Sequence, residues 1–93
     1  SAVPNLGAST STVSKAALND ISIAITPAEA NVRSVIMADG TKLYQETDYT
    51  YSQGALKLLK TGALKDHIVV GDNLITITIT ADFKLTYKLK VTA

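Results

Sequence analysis

Ninety-three residues are enough for one hydrophobic core and too few for two domains. Hydrophobic side chains make up 46% of the chain, which supports a buried core and excludes disorder over most of its length. Nine Lys and Arg against eight Asp and Glu leave a net charge of +1, which excludes the basic stripe of a nucleic-acid binder, an acidic tail and a polybasic membrane patch.

There is no cysteine, so disulfides and thiol chemistry are excluded. The longest apolar run is far short of the ~20 residues that cross a bilayer as a helix. The opening SAVPNLG shows no signal peptide and lacks a Met, and we expect a fragment of a longer protein with Ser1-Ala2 left from a tag.

In chain order, residues 1–8 hold Pro4, Asn5 and Gly7 with little periodicity and read as a linker or loose end; 9–93 read as the folded module. Ser9–Lys15 is β-capable but polar on both sides, as edge strands often are. Ala16–Asn19 reads as a bend. Ile21, Ile23 and Ile25 alternate with polar residues in a strand that Pro27 ends. Val32–Ala38 is the next strand, closed by the turn pair Asp39-Gly40.

A short strand is expected at Thr41–Tyr44, then a polar bend at Gln45–Asp48 and another strand from Tyr49. Gln53-Gly54 supplies the left-handed residue of a tight turn into the strand Ala55–Lys60. Thr61 reads as the cap of one helical turn over Ala63–Asp66, crossing an end of the sheet with Leu64 as a buried plug. The final hairpin alternates most regularly. Ile75, Ile77 and Ile79 face Thr76, Thr78 and Thr80; then Phe83, Leu85, Tyr87, Leu89 and Val91 face Lys84, Thr86, Lys88, Lys90 and Thr92.

This pattern predicts an all-β fold: an immunoglobulin-like antiparallel β-sandwich of about seven strands, with one short helical turn between the sheets. A small barrel is the competing architecture.

The stretch from Asp39 to Ile79 resembles a known family, the immunoglobulin-like X modules, grouped with carbohydrate-binding modules, of bacterial cellulosomal scaffoldins and multimodular glycoside hydrolases. The resemblance is carried by Asp39-Gly40, Thr41-Lys42-Leu43, Asp48-Tyr49-Thr50, Gln53-Gly54, Leu56–Leu58, Leu64, Val70-Gly71 and Leu74–Thr80. It covers roughly residues 20–92 and departs from the family pattern at Ile68-Val69, where Leu-Pro is usual. The resemblance implies an extracellular or cell-surface bacterial module set between neighbouring modules of the same chain. It further implies a spacer or solubilising role, or weak binding of polysaccharide or cell-wall polymer.

No catalytic set is legible, so the chain is not read as an enzyme. His67 is the only histidine and reads as an exposed loop residue. Glu46 and Asp48 read as turn solvation rather than a glycosidase pair. Asp39, Asp48, Asp66, Asp72 and Asn73 offer loop oxygens, but no spacing matches a calcium loop, so no metal and no cofactor are assigned.

Sugar binding ordinarily uses exposed aromatic rings. Tyr49, Tyr51, Phe83 and Tyr87 share faces with aliphatic residues and are expected in the core. Tyr44 breaks the inward face set by Leu43, at a position the resemblance marks as usually polar, and is the one aromatic nominated for ligand contact. The threonine-lysine face of the last hairpin has two readings. It is either a solvated surface whose lysines protect an edge, or a cationic contact through Lys84, Lys88 and Lys90, with Lys57 and Lys60 as further candidates.

Overall fold

The computed structural model describes residues 3–93, so the expectation for Ser1-Ala2 lies outside the described residues. Among the described residues, eight strands form two four-stranded sheets. The strands are β1 (Asn5–Leu6), β2 (Thr10–Ser14), β3 (Ile21–Thr26), β4 (Val32–Ile36), β5 (Tyr49–Ser52), β6 (Ala55–Leu58), β7 (Gly71–Ile79) and β8 (Phe83–Thr92). One sheet has the order β1-β3-β6-β5 and the other β2-β8-β7-β4. All pairings are antiparallel except β2 with β8, which run parallel.

Alternation decides the core. Ile21, Ile23 and Ile25 of β3 and Leu56 and Leu58 of β6 face Ile75, Ile77, Ile79, Tyr87, Leu89 and Val91 of the other sheet, and all are buried. A one-residue slip in any of these strands would turn its apolar set to water, so register is strongly specified.

The crossing turn joins the sheets as expected. Ala63–His67 forms a short 3-10 helix between β6 and β7, and Leu64 is fully buried under it. Burial of such a side chain contributes about 1.5–3 kcal/mol. Thr61 does not cap the turn: Gly62 occupies that place without a side-chain bond, and the Ala63 amide is instead taken by the distant Asp48 carboxylate at 2.9 Å.

Several expectations are corrected. The segment 1–8 is not wholly a loose end, because Asn5 and Leu6 pair with Thr26 and Ile25. Thr41–Tyr44 forms no strand; a single bridge joins Lys42 to Ile36, and the chain then turns away because Asp48 draws in the Tyr44 amide. β8 is not an edge strand, since β2 and β7 flank it. Thr80 leaves the strand face for the Thr80–Asp82 turn, where Ala81 and Asp82 both take positive φ.

Candidate functional site

The outer face of the sheet β2-β8-β7-β4 carries the threonine-lysine field. Thr76 lies opposite Thr86, Thr78 opposite Lys84, Leu74 opposite Lys88 and Asp72 opposite Lys90. β2 extends the field with Thr10 beside Lys88 and Thr12 beside Lys90. Lys84 and Lys88 are four residues apart on one strand, about 13 Å at ~3.3 Å per residue, with Thr86 between them. Lys90 faces a carboxylate. The field is therefore mainly hydroxyl, with cations spread across it. Lys57 sits on β6, in the other sheet, and does not join it.

Tyr44 is displayed as expected, 67% exposed beside the fully buried Leu43. Its backbone is held by a residue that sequence reasoning placed in solvent. Asp48 is only 4% exposed; its Oδ2 accepts the Tyr44 amide at 2.8 Å and its Oδ1 accepts the Ala63 amide at 2.9 Å. The Asp48 backbone also accepts Leu59 N–H and donates to the Tyr44 carbonyl, each at 2.8 Å. Both carboxylate oxygens thus serve as structural acceptors in the loop that presents Tyr44. Between them, Glu46 takes φ 71° and lines a shallow depression of about 540 Å³ over β3-β6-β5, together with Ser22, Ala24, Thr50, Ser52 and Lys57.

Asn73, also missed, is buried at the start of β7. It ties down the end of the crossing segment: Oδ1 accepts Val69 N–H at 3.0 Å, and Nδ2 donates to the Val69 and Gly71 carbonyls at 2.8 and 3.1 Å. The only sequence sign of these two roles was an Asx residue at the entry to a strand, which a turn uses equally well.

His67 is not a free loop residue. Its Nδ1 lies 2.7 Å from Asp39 Oδ2 and 3.1 Å from Thr41 Oγ1. An ionised Asp39 can only accept, so the neutral ring carries its proton on Nδ1. Asp39 also accepts the Thr41 amide at 3.0 Å. That amide first, then His67 and the Thr41 hydroxyl, hold its carboxyl down at about 2. Among the described residues, no three potential ligands gather for a metal ion.

The remaining aromatics divide. Tyr49 and Tyr87 are buried; Tyr51 is half-buried, with its hydroxyl bonded to the Ala30 carbonyl and accepting the Gly54 amide. Phe83 corrects the expectation of burial. It sits beside the β7–β8 turn, where the sandwich ends, and is 40% exposed. Tyr44 and Phe83 do not form a shared platform: one lies in the loop before β5 and the other opens β8.

Neither a protein-family model nor a curated protein matches the chain. Solved structures do. A tri-modular GH5 (subfamily 4) endo-beta-1,4-glucanase from Bacillus licheniformis matches 96% of this chain at 20% identity and TM-score 0.74. The full-length tri-modular endo-beta-1,4-glucanase B from Bacillus halodurans matches 95% at 10% identity and TM-score 0.75. This chain spans 20% and 17% of those enzymes' lengths. Titin domain M7 matches at 19% identity and TM-score 0.51, over 96% of this chain and 91% of its own. Two facing four-stranded sheets, each holding one antiparallel hairpin (β5–β6 and β7–β8), an N-terminal segment divided between them as β1 and β2, and the titin likeness together make the fold an immunoglobulin-like β-sandwich.

Proposed function

We propose that the chain is a non-catalytic spacer module of a larger secreted bacterial multimodular protein, an accessory to a glycoside hydrolase, related to the X modules it resembles. The observation that carries this reading is the placement of its two ends. Residues 3–6 and Ser9 share a groove with residues 83–86 at the start of β8, whereas Ala93 lies beside Ser14 past its end. The nine steps of β8 from Phe83 to Thr92 span about 30 Å at ~3.3 Å each. The molecule measures 41 × 22 × 20 Å, so a chain threading it enters and leaves near the two poles of its long axis. The partners of such a bead are the neighbouring modules. The reading is supported by the two tri-modular endoglucanases among the matched structures, of whose chains the match covers 20% and 17%.

Because the chain has no cysteine, Val3→Cys with Ala93→Cys gives clean attachment points for a dye pair. Single-molecule energy transfer between them should show one narrow distribution. A broad or multiple distribution would reject the rigid spacer.

A second reading, weak binding of polysaccharide or wall polymer, is favoured by the exposure of Tyr44 alone among the tyrosines. Affinity electrophoresis in cellulose derivatives, xylan and wall polymer separates the two. Retardation lost in Tyr44→Ala, or in a Lys84, Lys88 and Lys90→Gln triple variant, would establish binding; free migration in every gel would leave the spacer.

A further inference from the structure

Among the described residues the two sheets present four edges, and they are protected to different degrees. β1 is two residues long. β4 is covered by the segment after it, through Leu43 N–H to Val35 O and Met37 N–H to Thr41 O, at 2.9 and 2.8 Å. β5 is four residues long and is met at one end, where the Tyr49 carbonyl accepts the Glu46 amide at 2.6 Å. The edge of β2 is the longest left uncovered: five residues, Thr-Ser-Thr-Val-Ser, with no charge and no proline. Edges normally carry such devices against pairing.

The hydrogen-bond parity of β2 shows what this edge offers. Lys88 donates to the Ser9 carbonyl and Lys15 to the Thr92 carbonyl, both at 2.8 Å. In a parallel ladder the same alternate residues keep bonding one neighbour, so Ser9, Ser11, Val13 and Lys15 face β8. The N–H and C=O of Thr10 and Thr12 then point away from the sheet, with the N–H of Ser14.

We propose that this edge pairs antiparallel with β2 of a second copy of the chain, about a twofold axis at Thr12. The segment is self-complementary in that arrangement. Thr12 meets its counterpart as a hydrogen-bonded pair and Thr10 meets Ser14 of the second copy, joining the two outer sheets into one. The side chains of Thr10, Thr12 and Ser14 line one face of the seam; the Thr10 and Ser14 hydroxyls stay bonded to the Lys88 and Ala93 carbonyls of their own chain, which leaves the Thr12–Thr12 pair at the axis to form a hydroxyl contact. The lysines do not prevent it. Lys90 lies one strand behind β2. The two copies of Lys90 would therefore stand about three strand spacings, or ~14 Å, apart, beyond the ~8 Å screening length of physiological salt. A five-residue seam buries little area, so the dimer is weak and reversible, with a dissociation constant on the order of 100 µM.

Sedimentation equilibrium of the whole chain from about 10 µM to 1 mM tests this, a range that brackets the expected constant. The average mass should climb from the 9.8 kDa monomer toward twice that value, and the Thr12 and Ser14 amides should exchange more slowly as concentration rises. Thr12→Pro removes an N–H that the β8 ladder does not use. Thr12→Lys sets like charges against each other at the axis while leaving the exposed strand able to fold. Each should raise the dissociation constant more than tenfold. A wild-type chain that stays at 9.8 kDa throughout, or an association that survives both substitutions, would overturn the proposal.

Discussion

Gly62 approaches Asp48 so closely that a β-carbon added to it would lie 2.7 Å from both Cα and Oδ1 of Asp48, and 2.8 Å from the Thr47 carbonyl. The glycine is required by this contact rather than by its dihedral angles, since φ is −90°. Two of the three opposing atoms are backbone and cannot swing aside. Gly62→Ala should therefore displace Asp48 or the crossing turn and destabilise the chain by about 1–3 kcal/mol, the usual range for overpacking. The shift in the urea midpoint measures it.

Asp48→Ala should cost more than the loss of an ordinary surface carboxylate. The Tyr44 and Ala63 amides, both part-buried, would lose their acceptor, at about 1 kcal/mol for each, the low end of the range for an unpaired buried group. Asp48→Asn restores one acceptor but aims an N–H₂ at the other amide, so it should recover only part of the loss. Equilibrium unfolding of the two variants gives the comparison. Equal stability would show that water replaces the carboxylate.

Asp39 contributes to the acid limb of stability. Its folded value of about 2 lies below the ordinary 3.8, so its contribution is complete above the ordinary value and disappears as pH falls through about 2. Thermal unfolding midpoints at pH 6 and near pH 2 should differ less in Asp39→Asn than in the wild type. The carboxylate is solvent-accessible, so added salt should shrink the same difference.

The turn between β7 and β8 can be improved. Ala81 holds φ 66° and ψ 26°, a left-handed conformation that costs a side-chain-bearing residue roughly 1–2 kcal/mol. Ala81→Gly removes that cost but loosens the unfolded chain, which leaves a net gain of no more than about 1 kcal/mol. Differential scanning calorimetry should show a higher midpoint; a lower one would mean that the methyl group packs usefully.

Period-two alternation made the core strands legible, because Ile21–Ile25, Ile75–Ile79 and Tyr87–Val91 each place one whole side in the interior. Turn chemistry was legible too. Gln53 and Gly54 both take positive φ, as their place in a tight hairpin predicts. Pairing across long sequence distance was hidden. Nothing in Thr10–Ser14 declares a parallel partner some eighty residues away, so β8 passed for an edge. Buried polar residues were hidden for a related reason: Asp48 and Asn73 look like any turn residue until the amides that converge on them are known. The exposure of Tyr44 was readable only because Leu43 beside it had to point inward. The exposure of Phe83 was not readable, since alternation says which side a ring takes but not how far the opposite sheet extends above it.

The parallel pairing of β2 with β8 has a mechanical meaning. The chain reaches β2 from its amino end and leaves β8 at its carboxyl end, and the two strands point the same way. Tension applied through the ends therefore draws them in opposite directions along their shared length. The ladder from Thr10–Lys88 to Ser14–Thr92 is loaded in shear, and its bonds must fail together rather than open one by one from an end. Resistance to stretching is concentrated in this strand pair, while the strands behind it carry little of the force until it gives way.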